Sequence, residues 1–261
     1  MEKKKMITVT IDGAEYAYPY GTPYKNIAAD FQDRFSCDIL LVNRDGKLYE
    51  LHKVLNRDCS LKMVTAQAKP GMQTYERSAL FLMLKAFYDV AGRENVERIT
   101  AEYSISNALF ILARGNFILD QALLERVEKR MRELAAQALP IEKRSVSTDD
   151  AIDLFHRSGL VHKAQLFRFR IDSHVNVYTL DGFTDYFYGY MVPDTSYIKC
   201  FGLELFENSF VLRLPARSAP GQLGEFRPSR KLFRALSDSA KLSEALNASN
   251  VAELNAAVSQ G

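Results

Sequence analysis

Residues 185–193, Asp-Tyr-Phe-Tyr-Gly-Tyr-Met-Val-Pro, restrict the fold more than any other stretch of the chain. Four of these nine residues are aromatic, which is unusual for a solvated surface loop. Gly189 and Pro193 interrupt the run, and both residue types disfavour the interior of a helix. The segment therefore predicts an irregular stretch that lines either the floor of a cleft or the lid of a core.

The composition is typical of a soluble globular protein with two modest domains. The chain has 261 residues, of which 47% are hydrophobic and 25% charged, and a formal net charge of +2 does not by itself indicate nucleic-acid binding. No apolar run approaches the roughly 20 residues that span a bilayer, and no signal-peptide pattern opens the chain. The three cysteines are isolated and the four histidines lack metal-ligand spacing. We therefore expect a cytoplasmic protein without membrane association.

Residues 6–67 show the pattern of a small β-grasp unit. Two runs of strand-forming residues, 7–11 and 14–19, flank an Asp-Gly turn and predict a β-hairpin. The tripeptide Gly-Thr-Pro at 21–23 predicts a helix start with Thr22 as its N-cap. Apolar residues then follow at helical spacing. Three further strands are expected at residues 39–42, 48–52 and 61–65.

The rest of the chain predicts helices beside an antiparallel sheet. Residues 68–71, Ala-Lys-Pro-Gly, have the composition of a linker. Apolar faces and caps predict one helix from residue 74 to Gly92, one capped by Asp120 and one capped at residues 147–150. A short helix is expected at 163–167, and strands are expected at 99–105, 108–112, 175–180, 197–205 and 210–214. This part is therefore α+β.

The order of these elements resembles the N-terminal part of threonyl-tRNA synthetases. The first unit, with its Gly-Thr-Pro helix start, resembles their TGS domain, and the second resembles their second additional, editing-type domain. In that domain, a segment matching residues 185–193 carries a Cys and a His zinc ligand, and a His-x-x-x-His motif supplies the others. Here Phe187 and Met191 stand at the first two positions, and Tyr103 and Asn107 at the other two. Since none of these side chains is a zinc ligand, we expect no metal.

Three short segments resemble bacterial uridine kinase-like nucleoside kinases more closely. They are Thr-Tyr-Glu-Arg-Ser at 74–78, the aromatic run at 185–191 and Tyr-Ile-Lys at 197–199. The resemblance implies a TGS-like β-grasp domain at 1–69, an editing-like α+β domain at 70–218 and a helical tail at 219–261. The tail would connect to a kinase domain absent from this chain. No Gly-x-x-x-x-Gly-Lys-Ser/Thr loop is present, so ATP and Mg²⁺ would act only through that domain.

This resemblance favours a non-catalytic regulatory region that binds a ligand or partner. Its partners would be the kinase domain and a nucleoside or nucleotide, and an oligomer stays open. One alternative is an RNA- or tRNA-binding module, and another is a metal-free aminoacyl-ester hydrolase. RNA is not the favoured partner because the basic residues of the second half are dispersed along the sequence. These residues are Arg168, Arg170, Arg213, Arg217, Arg227, Arg230, Lys231 and Arg234.

The former metal position predicts a candidate ligand pocket with polar groups on an apolar lining. The candidate residues are the polar Tyr103, Asn107, Asp185 and Tyr188 and the apolar Phe187 and Met191. The tyrosines of the aromatic run would stack a nucleoside base. The alternative is that these side chains satisfy one another in a closed core.

Overall fold

The computed structural model describes residues 5–157, 164, 167 and 173–245, and within them the fold is mixed α+β, as predicted. The strands in these residues are β1 Met6–Ile11, β2 Ala14–Pro19, β3 Ile39–Arg44, β4 Lys47–Glu50, β5 Cys59–Thr65, β6 Val96–Ile105, β7 Ala108–Gly115, β8 Glu142–Ser147, β9 His174–Leu180, β10 Phe183–Tyr186, β11 Gly202–Phe206 and β12 Ser209–Arg213. The α-helices there are α1 Tyr24–Phe31, α2 Lys69–Ala91, α3 Gln121–Ala136, α4 Thr148–Arg157 and α5 Arg230–Ala245.

The first five strands form a mixed sheet in the order β2-β1-β5-β3-β4, in which only β1 and β5 are parallel. Helix α1 packs Tyr24, Ile27 and Phe31 into the core of this sheet. A single helix against a mixed sheet is the predicted β-grasp arrangement. Thr22 does not cap the helix, because α1 begins at Tyr24 with Pro23 at the N-cap position and without a side-chain cap. The N-cap prediction was therefore wrong, and the Thr22 hydroxyl donates to the Pro19 carbonyl at 2.7 Å instead.

Helix α2 is the centre of the second part, and 14 of its 23 residues are buried. The prediction of a linker at residues 68–71 was wrong, because the helix begins at Lys69. Pro70 fits the first turn of a helix, where its missing amide hydrogen has no intrahelical partner to lose. Gly71 permits close packing on β5, since a Cβ atom there would collide with the backbone of Thr65.

Two antiparallel sheets contribute to the core around α2, in the orders β11-β12-β7-β6 and β10-β9-β8. Helix α3 is capped by Asp120 as predicted, because its carboxylate accepts from the Leu123 amide at 2.8 Å. Strand β8 was not predicted, since Glu-Lys-Arg-Ser-Val-Ser lacks apolar alternation. Only the end of the predicted strand 197–205 is extended in β11, and a 3₁₀ turn occupies Thr195–Tyr197. The helix predicted at 163–167 lies outside the described residues apart from Ala164 and Phe167.

Helix α5 lies in the predicted tail and packs on the other face of the four-stranded sheet. Neighbouring residues of a strand point to opposite faces, so Phe110 faces α5 while Ile111 faces α2. Phe233 of α5 contacts Phe110 edge-on, with ring centroids 5.3 Å apart. The sheet is therefore covered by apolar side chains on both faces.

Candidate functional site

The aromatic segment 185–193, predicted to be irregular throughout, begins with the last two residues of strand β10 and has one side in the core and one side in solvent. Asp185 and Met191 are each 1% exposed, whereas Tyr188 is 83% exposed. Phe187 is half-buried and its ring meets Phe81 of α2 edge-on, with centroids 5.4 Å apart. The segment is therefore both a lid on the core and an exposed aromatic surface.

Ser78 of helix α2 fixes the buried end of this segment. Its hydroxyl oxygen accepts from the Val192 amide at 3.0 Å and lies 3.4 Å from the Met191 Sδ atom. The same hydroxyl lies 2.8 Å from the Thr74 carbonyl one turn earlier in α2. Ser78 and Thr74 are both 0% exposed. The thioether of Met191 therefore occupies closely packed space beside α2.

Tyr103 and Asn107 lie at the hairpin between β6 and β7. The ring of Tyr103 stacks on Phe110, with centroids 5.1 Å apart, and belongs to the apolar cluster under α5. Phe187 and Met191 belong to the cluster around α2 instead. Asn107 is exposed, and it borders a cavity of about 380 Å³ at the start of α2. A single pocket formed by all six candidate residues stays a prediction.

A buried carboxylate on β4 forms the polar centre beneath the aromatic segment. Glu50 is 2% exposed and accepts from the Lys143 ammonium at 2.8 Å and from the Met191 amide at 3.0 Å. The Tyr178 hydroxyl lies 2.9 Å from Glu50 and 2.6 Å from the Gly189 carbonyl, so its one proton has two acceptors. His52 Nε2 lies 3.8 Å from the same carboxylate. We call Glu50, His52, Lys143 and Tyr178 the Glu50 cluster.

Strand register explains why Lys143 and Tyr178 meet. Lys143 of β8 is directly opposite Tyr178 of β9, and Tyr178 is directly opposite Asp185 of β10. Directly opposed residues of an antiparallel sheet share a face. The ammonium of Lys143 also lies 5.3 Å from the ring centroid of Tyr178 and 6.0 Å from that of Tyr190. The sheet thus presents one cation to Glu50 and to two aromatic rings.

Arg77 supports the turn of the aromatic segment from below. Its Nε atom donates to the Tyr190 carbonyl at 3.1 Å. Gly189 has a φ of +116°, and a Cβ atom there would lie 2.7 Å from the Arg77 guanidinium carbon. Only glycine adopts this conformation at low cost, and only glycine leaves room for Arg77.

Burial controls the ionisation of the groups around Glu50. It raises the pKa of the Tyr178 phenol, and the Glu50 charge raises it further, so Tyr178 is a neutral donor at physiological pH. Burial lowers the pKa of His52 despite the opposing attraction of Glu50, and Lys53 and Lys143 lower it further. The arrangement thus consists of neutral donors and cations around one carboxylate.

Sequence reasoning did not select Glu50, Arg77, Lys143 or Tyr178. The available signal was the charged residue Glu50 at the end of an apolar strand, followed by His52. Among the described residues, no group of three or more His, Cys, Asp or Glu side chains is placed to hold a metal ion. The expectation of no zinc stays a prediction.

Two of the dispersed basic residues form ion pairs with nearby carboxylates. Arg213 pairs with Glu204 at 2.9 Å, and Arg227 pairs with Glu225 at 2.6 Å. Arg230 is exposed on α5, while Arg168 and Arg170 lie outside the described residues. In the part of the chain that is described, no helix is long and apolar enough to cross a membrane.

Comparison with known proteins finds similar enzymes. The chain is similar to threonine–tRNA ligases, the enzymes also called threonyl-tRNA synthetases. The ligase of Azobacteroides pseudotrichonymphae is 30% identical over 189 residues, which cover 71% of this chain and 28% of the ligase. The ligase of Paraburkholderia xenovorans is 28% identical over 200 residues, covering 76% of this chain and 31% of the ligase. The ligase of Porphyromonas gingivalis is 28% identical over 201 residues, which cover 76% of this chain and 30% of the ligase.

This similarity to threonine–tRNA ligases covers only part of those enzymes. The chain spans less than a third of the length of the relatives it matches. No protein-family model matches the sequence. The similarity supports the predicted relation to the synthetase, whereas nothing in these comparisons supports a uridine kinase parent.

Proposed function

We propose that the chain is an RNA-binding module that contacts tRNA or a tRNA-like acceptor end. The observation that carries this proposal is the similarity to threonine–tRNA ligases, whose name states tRNA as their substrate. The proposal reverses the preference reached from sequence, where RNA binding was the alternative to a kinase-associated region.

The exposed side of the aromatic segment is the surface that suits this function. Tyr188 is 83% exposed, and it is the most exposed large hydrophobic side chain in the described part of the chain. An aromatic ring in solvent offers a stacking platform for an unpaired base. Lys143 and His52 lie at the base of the same segment, with side chains 15% and 35% exposed. The Lys143 cation, with the neutral His52 imidazole as a hydrogen-bond donor, would contact the phosphate backbone.

The direct test is fluorescence anisotropy with a labelled tRNA transcript and with a short hairpin that carries a single-stranded 3′ end. Replacing Tyr188 by Ala should weaken binding about 5- to 150-fold, because stacking on one base contributes about 1–3 kcal/mol. The matched control is Tyr20→Ala, since Tyr20 is also an exposed tyrosine (57%) but lies at the end of β2 in the first sheet. That variant should bind as the parent chain does.

Two results would contradict the proposal. One is the absence of saturable binding to either RNA at low ionic strength. The other is equal affinity of the parent chain and the Tyr188→Ala and Tyr20→Ala variants, which would make binding independent of the aromatic segment. Repeating the titration at several salt concentrations measures the phosphate contribution separately.

The other interpretations lack a supporting observation. The uridine kinase-associated region and its nucleoside ligand stay predictions, as do the domain division at residues 69 and 218, the absence of a cofactor and any oligomer. For the metal-free ester hydrolase, burial raises the pKa of Tyr178 and so disfavours the phenolate as a base. The binding module therefore remains the better-supported proposal.

A further inference from the structure

We propose that Cys37 and Cys200 form a reversible redox site that reacts with small disulfides and then closes to an intramolecular disulfide. This inference is independent of RNA binding. Both cysteines line one cavity of about 300 Å³, between the β-grasp unit and the segment that precedes β11. Tyr75 and Tyr197 also line that cavity. Both thiols are free and partly exposed.

The backbone on each side of the cavity is held by a pair of hydrogen bonds. The Tyr75 hydroxyl accepts from the Cys200 amide at 2.8 Å and lies 2.8 Å from the Cys200 carbonyl, to which it donates. On the other side, the side-chain amide of Gln32 makes both bonds. Its Nε2 atom donates to the Cys37 carbonyl at 3.1 Å, and its Oε1 atom accepts from the Ile39 backbone amide at 3.0 Å. Each cysteine is thus presented by an anchored segment.

An ion pair joins these two segments directly beside the cysteines. Asp38 follows Cys37, Lys199 precedes Cys200, and the Asp38 Oδ2 and Lys199 Nζ atoms are 2.7 Å apart. Both members of the pair line the same cavity as the thiols. The contact brings together residues 161 positions apart in the sequence. Cys37 and Cys200 thus lie on two anchored segments that border one cavity and are joined by an ion pair. They form a candidate dithiol site.

The chemistry requires a low-molecular-weight disulfide as oxidant. The thiolate of one cysteine attacks a sulfur of the small disulfide, forms a mixed disulfide and releases one small thiol. The second cysteine, as thiolate, then attacks the protein sulfur of the mixed disulfide and releases the second small thiol. Two protein thiols are thereby oxidised to one disulfide, and the reagent is reduced to two thiols. Burial raises the pKa of Cys200 and so disfavours its thiolate, and the proposal therefore assigns the entering step to Cys37 and the resolving step to Cys200.

The third cysteine provides an internal control. Cys59 lies on β5 and packs against the core of the β-grasp sheet, away from the residues that line the cavity. Burial raises the pKa of Cys59 as it does that of Cys200. Cys59 is therefore a thiol that does not border the cavity, and its reaction reports thiol reactivity without the cavity.

The experiment treats the full chain under native conditions with 2-hydroxyethyl disulfide, a reagent small enough for this cavity, and maps the products by mass spectrometry without reduction. We expect a Cys37–Cys200 disulfide without a retained adduct, while Cys59 stays reduced. Cys200→Ser should stop at a mixed disulfide on Cys37, because the resolving thiol is missing. Cys59→Ser should react as the parent chain does. The bridged form should show a higher melting temperature that dithiothreitol reverses.

Several results would overturn the inference. Stable mixed disulfides on the parent chain would show that the two thiols cannot reach each other. A bridge that includes Cys59 would show that reaction follows unfolding and not the folded cavity. A Cys37–Cys200 disulfide that forms equally fast in urea would also show that the folded cavity is not required. Absence of any reaction would show that the cavity does not admit the reagent.

Discussion

Replacing Glu50 by Gln tests whether the Glu50 cluster holds the aromatic segment in place. The substitution keeps the size of the side chain and one acceptor oxygen for Tyr178 or the Met191 amide. It removes the negative charge that lies 2.8 Å from the Lys143 ammonium. Glutamine also places an amide donor where the ammonium requires an acceptor.

The structure sets the size of the expected effect. Removing one member of a buried ion pair costs about 3–5 kcal/mol, because the remaining charge stays desolvated. Lys143 retains 15% exposure and can regain some water, so we expect about 3 kcal/mol for Glu50→Gln. Glu50 is only 2% exposed, so Lys143→Met, which leaves the carboxylate without its ammonium partner, should cost more, about 4–5 kcal/mol.

The double variant separates the ion pair from the packing around it. Removing both charges leaves no unpaired ion, so its cost should be well below the sum of the two single changes. Urea unfolding followed by circular dichroism and tyrosine fluorescence measures these differences, since the chain has 13 tyrosines and no tryptophan. Glu225→Gln is the control, because Glu225 and its partner Arg227 are 69% and 79% exposed and the unfolding midpoint should not change.

Additive effects would refute this reasoning. If the double variant loses the sum of the single losses, Glu50 and Lys143 do not act as a pair. A Glu50→Gln midpoint equal to that of Glu225→Gln would show that the carboxylate is not buried in solution.

Two further predictions concern the same region. Because burial lowers the pKa of His52 in the folded state, the unfolded chain binds more protons, so the free energy of unfolding should fall as the pH drops below about 6.5 and stay constant above pH 7. Urea unfolding midpoints measured at a series of pH values test this, and His52→Gln should remove the fall below about pH 6.5. An identical pH dependence of the parent chain and the His52→Gln variant would contradict the prediction. Gly189→Ala should cost about 1–3 kcal/mol or more, because alanine at a φ of +116° is strained and its Cβ atom meets Arg77. Gly13→Ala is the control for backbone strain alone, because Gly13 has a φ of +82° and open space around it. An equal loss of stability in the two variants would exclude the Arg77 contact as a cause.

Local signals in the sequence predicted much of the fold. The three Asp-Gly turns at 12–13, 45–46 and 181–182 each connect adjacent strands, and all six residues have the positive φ that such turns require. Gly92 ends α2 as predicted, again with a positive φ. These features depend on a few neighbouring residues, and their chemistry can be read directly.

The polar centre of the site has no local signal. Glu50 meets Lys143 across 93 positions and Tyr178 across 128, and strand β8, which carries Lys143, has a polar sequence without a strand pattern. These contacts exist only because the β-grasp unit packs against the sheet β10-β9-β8. The resemblance to the synthetases identified Met191 and Phe187 as apolar replacements for metal ligands, but no local signal showed that Tyr188, three positions before the buried Met191, lies in solvent.

The opposite environments of Met191 and Tyr188 bear on where the proposed RNA binding would occur. Met191 is packed beside Ser78, so a reaction centre at that position would require the core to open. Tyr188 lies in solvent, and a base can stack on it without any change in the core. The backbone between them is fixed at two points, by the Gly189 carbonyl facing Tyr178 and the Met191 amide bonded to Glu50. A short loop anchored in this way presents its ring with little conformational freedom to lose on binding, which favours recognition at the surface over catalysis in the former cleft.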